Sequence, residues 1–135
     1  MIRAMPVLQV TDVKRSEAFY CEKLGFRSQG TWGEGPEFCI VQYGRVTIAL
    51  DRSRANGPIP TNQCWAAYIY VEDADALCAQ WRSNGVDIVR GPEDTPYESR
   101  DFDIRDPDGH LLAFGHDLMP GKGEAGLMNE DDAGA

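Results

Sequence analysis

The pattern VLQVTDVKRSEAFYCEKLGF at residues 7–26 returns, in different letters, as IYVEDADALCAQWRSNGV at residues 69–86. Val10, Asp12 and Tyr20 recur as Val71, Asp73 and Trp81 at an offset of 61, and Gly25 recurs as Gly85 at an offset of 60. Each copy reads as a strand, an Asp that can cap a helix by accepting a backbone N–H, the helix itself, and a Gly suited to a left-handed helix end. Phe19, Tyr20 and Leu24 in the first helix, and Leu77, Cys78 and Trp81 in the second, form the stripe that faces the core. Such repetition makes the chain two copies of one supersecondary unit.

Three strand signals follow each helix. In the first half they are residues 25–33, PEFCIVQY and RVTIALD, with Gly44 in the last turn; in the second they are VDIVR, SRDFDIR and HLLAFG, with Pro107, Asp108 and Gly109 making the turn. The pattern predicts an α+β domain over residues 1–118. Its two tandem βαβββ modules, residues 1–51 and 64–118, are joined by a polar, exposed linker at 52–63 that is rich in Pro and Gly. Residues 119–135 carry Gly, Ala and acids with almost nothing to bury, and are expected to be a disordered acidic tail.

At 135 residues, a chain of this kind can bury about two thirds of its unfolded surface, so neither metal nor disulfide is needed for folding. Cys21, Cys39, Cys64 and Cys78 are widely spaced, and no basic, apolar leader opens the sequence. They read as reduced thiols of a cytoplasmic protein. No apolar run approaches the ~18 residues that cross a bilayer, so a soluble protein without a membrane partner is expected. The formal net charge of -9 disfavours nucleic acid as a partner and would concentrate cations, although solubility explains the same acidity equally well.

Two motifs carry a family resemblance. The first is V-x-D-x(6)-FY-x(3)-LGF at Val10, Asp12, Phe19, Tyr20, Leu24, Gly25 and Phe26; the second is DPDGH at residues 106–110. In this order, separated by a repeated module, they resemble the glyoxalase, bleomycin-resistance and extradiol-dioxygenase superfamily, also called the vicinal oxygen chelate fold. The resemblance implies eight strands, four per module, curling as a curved mixed sheet around a shared cleft with helices outside. In metal-using members, ligands come from the first and last strands of each module.

Side chains alternate across a strand, so phase assigns the cleft. With Leu8 and Val10 toward the helix, Met5, Val7 and Gln9 face the cleft. With Ile69 and Val71 outward, Cys64, Ala66, Tyr68 and Tyr70 face it. Leu111, Ala113 and Gly115 follow from the last strand, and Thr47, Ala49 and Asp51 from the remaining one. The superfamily's ligand positions then fall on Met5, Ala66, Ala113 and Ala49, a thioether and three methyl groups, and no metal or other cofactor is expected. His110 and His116 lie off the cleft phase, and His110 is expected to bond a backbone group.

The branch without those ligands includes the bleomycin-resistance proteins, and the resemblance implies an intertwined homodimer whose cleft sequesters a small cationic, aromatic molecule. Tyr68 and Tyr70, with Trp32, Phe38 and Tyr97 as further rings whose orientation strand phase does not assign, offer ring faces for stacking or cation–π contact. Asp101, Asp103 and Arg105 take the cleft side of SRDFDIR because Phe102 and Ile104 enter the core. The two carboxylates would favour a positive ligand, or be solvated rim residues. The alternatives are a superfamily enzyme, a lyase or dioxygenase, and an accessory protein-binding domain. No catalytic nucleophile and base stand together in the sequence.

Overall fold

The structure is a computed structural model, and it describes residues 1–119. The expected acidic tail therefore lies, apart from Met119, outside the described residues. Asp12 and Asp73 have extended backbone and accept the N–H groups of Arg15 and Ala76 at 3.1 and 3.0 Å. These caps start α1 (Val13–Ala18), which continues as a π-helical turn over Phe19–Lys23, and α2 (Ala74–Ser83). Gly25 and Gly85 follow at φ of 84° and 83°, the left-handed conformation that a side chain disfavours.

The strands are β1 (Val7–Val10), β2 (Arg27–Trp32), β3 (Phe38–Tyr43) and β4 (Val46–Arg52), then β5 (Ala67–Tyr70), β6 (Ile88–Asp94), β7 (Ser99–Arg105) and β8 (Leu111–Asp117). They pair within their own module, giving two four-stranded mixed sheets of order β1-β4-β3-β2 and β5-β8-β7-β6. In each, the first strand runs parallel to the last and the other pairs are antiparallel. The α+β architecture of two βαβββ modules is thus present. The boundaries shift a little: β4 extends to Arg52, which pairs with Val10, and β6 runs past the expected VDIVR to Asp94 through register shifts on either side of Arg90. The linker is not wholly exposed, because Ile59 is buried.

One core serves both modules. Leu8, Val10, Cys39, Val41, Ile48 and Leu50 from the first sheet meet Phe102, Ile104, Leu112 and Phe114 from the second around Tyr20, Leu24 and Trp81. The helix ends are tied to each other across the module boundary. The Trp81 indole N–H donates to the Leu24 carbonyl at 3.2 Å, and Lys23 and Asn84 each donate to the other's carbonyl at 2.9 Å. Among the described residues no helix is long and apolar enough to cross a membrane.

The DPDGH turn joins β7 to β8 and clasps the first module. Asp108 accepts from the Thr11 N–H and hydroxyl and from Arg15, at 3.2, 2.8 and 3.1 Å. Asp106 accepts from the buried Tyr20 hydroxyl at 2.9 Å and from the backbone N–H groups of Asp108 and His110. His110 donates Nε2–H to the Gln9 carbonyl at 2.6 Å, the backbone role expected for it. The repeat is not symmetric here. The equivalent β3–β4 turn is only Gly44 and Arg45, and a groove of about 710 Å³ is left between it and α2.

Burial raises the Asp106 carboxyl above its ordinary value of 3.8. The native state therefore holds this proton more tightly than the unfolded chain, and its stability falls as pH rises from about 4 through the raised value. Asp106→Asn keeps an acceptor for both backbone donors and removes that slope. Urea unfolding between pH 4 and 7 should show the Asn variant gaining on the parent as pH rises. Asp106→Ala, which leaves three donors unmatched, should lose about 2 to 4 kcal/mol at any pH in this range.

Candidate functional site

Helices cover one face of each sheet, and the opposite faces carry the residues that strand phase assigns to the cleft. On the second sheet, Ala113 of β8 lies between Tyr68 of β5 and Asp103 of β7, and Gly115 lies between Tyr70 and Asp101. Small residues on the central strand leave room for long side chains on its neighbours to meet above it. Tyr68 uses that room: its hydroxyl crosses Gly115 to donate to Asp101 Oδ2 at 2.9 Å.

Four rings gather there. Tyr68 lies 5.1 Å from both Trp65 and Tyr70 between ring centroids, and Tyr97 lies 6.1 Å from Trp65 and 6.3 Å from Tyr68. Most of these pairs are edge-to-face, the arrangement that aromatic quadrupoles favour. Trp65, Tyr70 and Tyr97 remain 36%, 41% and 41% exposed, so the cluster is open to a ligand and is not core.

Beneath the rings is a knot of charge. Asp101 Oδ2 accepts from the Tyr68 and Tyr97 hydroxyls at 2.9 and 2.5 Å, and Oδ1 faces Arg90 Nη2. Asp103 Oδ1 accepts from the Trp65 indole N–H at 3.0 Å and from Arg90 Nη2 at 2.9 Å, while Oδ2 accepts from Arg90 Nε at 2.9 Å. Arg90 Nη1 donates to Glu93 at 2.6 Å. Bonding to Asp103, and then to Asp101 and Glu93, holds the Arg90 guanidinium well above its usual range. Burial, followed by the bond to Asp101, pushes the Tyr97 phenol up to about 12, and burial together with the same carboxylate raises Tyr68 as well. All three groups keep their protons at any physiological pH.

This corrects one expectation. Asp101 and Asp103 are not solvated rim residues; both are buried, and their oxygens accept from Arg90 and from ring O–H and N–H donors. The physical reason is that a carboxylate removed from water needs donors in its place. Strand phase does not assign Arg90, Trp65 or Glu93 to this face. Arg90 was concealed by the irregular register of β6, and Trp65 by its place before β5 begins.

The other expected cleft residues are distributed as follows. Tyr68, Tyr70, Asp101, Asp103 and Ala113 share the face just described, with Ala113 fully buried under its neighbours. Val7 and Ala49 are register partners on the first sheet, with Thr47 on the same side; Val7 is exposed while Thr47 and Ala49 are buried. Val7, Cys64 and Ala66 line a separate hollow of about 240 Å³ between the modules, with His110 and Leu111. Met5, Cys64 and Ala66 precede β1 or β5, so strand alternation does not govern them. The larger groove beside α2 touches the ring cluster only at Tyr70.

The sequence model of the Glyoxalase/Bleomycin resistance protein/Dioxygenase superfamily matches residues 3–114. The chain belongs to this superfamily. A bleomycin resistance protein of Geobacillus stearothermophilus is 30% identical over 129 residues, which cover 84% of this chain and 96% of that protein; one of Staphylococcus aureus matches to the same extent. Among solved structures, the bleomycin-binding protein of bleomycin-producing Streptomyces verticillus, complexed with copper(II)-bleomycin, has a TM-score of 0.67 at 26% identity over 84% of this chain and 94% of that one. TioX from Micromonospora sp. ML1 shares the fold at a TM-score of 0.71 and 23% identity, covering 84% of this chain and 97% of that one.

Metal-using members of the superfamily require several imidazole or carboxylate donors at one point, and the residues here do not fit such an ion. Ala49 and Ala113 bring methyl groups, Ala66 another, and Met5 a thioether. Among the described residues no three His, Cys, Asp or Glu side chains are grouped as a ligand set. His110 is bonded to Gln9, and His116 Nδ1 accepts the Ala74 N–H at the start of α2.

In this superfamily member the ring cluster depends on Gly115 having no side chain. A Cβ there would overlap the Tyr68 hydroxyl and stand 2.8 Å from Asp101 Cβ. Gly115→Ala should lower unfolding stability by about 1 to 3 kcal/mol, as overpacking does, and displace Tyr68. Urea denaturation and the near-ultraviolet circular dichroism of the aromatic rings read the two effects.

Proposed function

We propose that this protein binds a drug-sized aromatic molecule on the second module's ring face and sequesters it unchanged, as a bleomycin-resistance-like protein. The observation that carries this reading is the convergence of Trp65, Tyr68, Tyr70 and Tyr97 on one open face. Exposed apolar clusters of this kind mark binding surfaces, and flat rings suit a planar partner. The similarity to bleomycin resistance proteins and to a structure complexed with copper(II)-bleomycin supports the same ligand class. The net charge of -9 draws cationic compounds toward the surface, an attraction that salt screens. Residues 1–118 form the working unit, and four free cysteines suit the reducing cytoplasm.

The ring face is one wall, and a second copy of the chain supplies the other. Val7 and Trp32 are 57% and 49% exposed on the first module, an apolar surface suited to facing the rings of a partner chain. Light scattering should give twice the chain mass of 15.0 kDa at micromolar concentration; a monomer would contradict the dimer.

Calorimetric titration with bleomycin and other aromatic antibiotics tests the ligand. Tyr68→Ala should weaken binding by about 1 to 2 kcal/mol, the value of a desolvated ring contact. Undiminished binding by that variant would overturn the site. Because the donor set does not fit a metal, binding should proceed without one, and adding nickel or zinc to the ligand-free protein should leave its melting temperature unchanged.

A further inference from the structure

The carboxylates beneath the rings have no free side to offer. Each accepts from two or three donors, and a ligand cation could reach Asp101 only by displacing the Tyr68 or Tyr97 hydroxyl or the Arg90 guanidinium. Asp103 is enclosed in the same way by the Trp65 indole and Arg90. What these bonds do fix is the rings. A phenol tied at its hydroxyl cannot swing about its χ angles, and an indole tied at its N–H has one orientation. Rings held in their binding arrangement before the ligand arrives spare the ordering entropy that mobile side chains lose on binding.

Resting on the binding reading above, we propose that Asp101 and Asp103 are positioning residues. They hold Tyr68, Tyr97 and Trp65 in one arrangement, with Arg90 as counter-ion. The ligand class is therefore a planar aromatic compound gripped through its ring faces, not a cation gripped through these carboxylates. Charge on the ligand acts only through the long-range field of the acidic chain.

Two probes sharing a three-ring frame separate the possibilities: cationic 9-aminoacridine and uncharged acridone, titrated by fluorescence into the parent and into Tyr68→Phe and Tyr97→Phe. Each variant keeps the ring and every formal charge, and removes one hydroxyl from Asp101. Pinning requires that both probes weaken together, by about three- to tenfold, with the ratio of the two affinities unchanged within about twofold. The near-ultraviolet circular dichroism of the variants should fall while the far-ultraviolet signal holds; the melting temperature should drop by several degrees as buried Asp101 loses a donor, with the fold intact at the titration temperature.

A direct carboxylate–cation contact makes the opposite demand. Freeing an Asp101 lone pair would then leave 9-aminoacridine binding unchanged or tighter while acridone alone weakens, and that result, or no change for either probe, overturns the proposal. Failure of the underlying reading looks different: neither probe binds the parent, or Tyr68→Ala leaves both affinities intact, and either outcome rejects the ring face itself.

Discussion

Two carboxylates on one side of a four-stranded sheet can leave water only if donors replace it, and Arg90 is the group around which those donors are arranged. Its guanidinium reaches Asp101, Asp103 and Glu93 together. Tyr68, Tyr97 and Trp65 each donate a further bond to the same two carboxylates. The buried acids and the open rings are thus one construction. Such a charge cluster is weak evidence for net stability, because desolvation offsets much of its attraction. Its value is geometric: it ties three aromatic side chains, Tyr68, Tyr97 and Trp65, at their polar ends.

The scaffold beneath follows the same economy of means twice and then departs from it. Both modules start their helices with an Asp cap and end them with a left-handed glycine. Both place a strand parallel to the module's last one, so each sheet has one helix-covered face and one free face. The connectors differ. The DPDGH turn reaches across to the first module through Asp106, Asp108 and His110, whereas the short turn at Gly44 and Arg45 leaves a groove beside α2. The two modules share one plan, and in the second Trp65, Tyr68, Tyr70 and Tyr97 gather on the face away from the helix.

Much of this was legible in the amino-acid letters because it rests on local rules. The offset of Asp12 to Asp73 and Gly25 to Gly85 exposes the two modules, since caps and helix ends are short-range chemistry. Period-two alternation put Phe102 and Ile104 in the core and Tyr68, Asp101 and Asp103 on the other side, where they are. The partners of those acids were not legible. Arg90 lies in a strand whose register shifts on both sides of it, so its neighbour across the sheet cannot be counted from a landmark. Trp65 lies before β5, outside any alternation, and Cys64 and Met5 escape the strand rule for the same reason. Without Arg90 in view, two acids beside aromatic rings look unpaired, whereas both accept from its guanidinium.

The most direct test is to watch the indole protons by nitrogen–proton NMR while an aromatic antibiotic is added. The chain has three tryptophans, and they report on different places: Trp65 on the ring face, Trp81 on the core side of α2, and Trp32 on the first module's exposed side. A ligand stacked on the ring face should shift the Trp65 indole proton upfield through its ring current and leave Trp81 where it was. A bound ligand that moves Trp81 and spares Trp65 would place the site in the groove beside α2 and contradict the account.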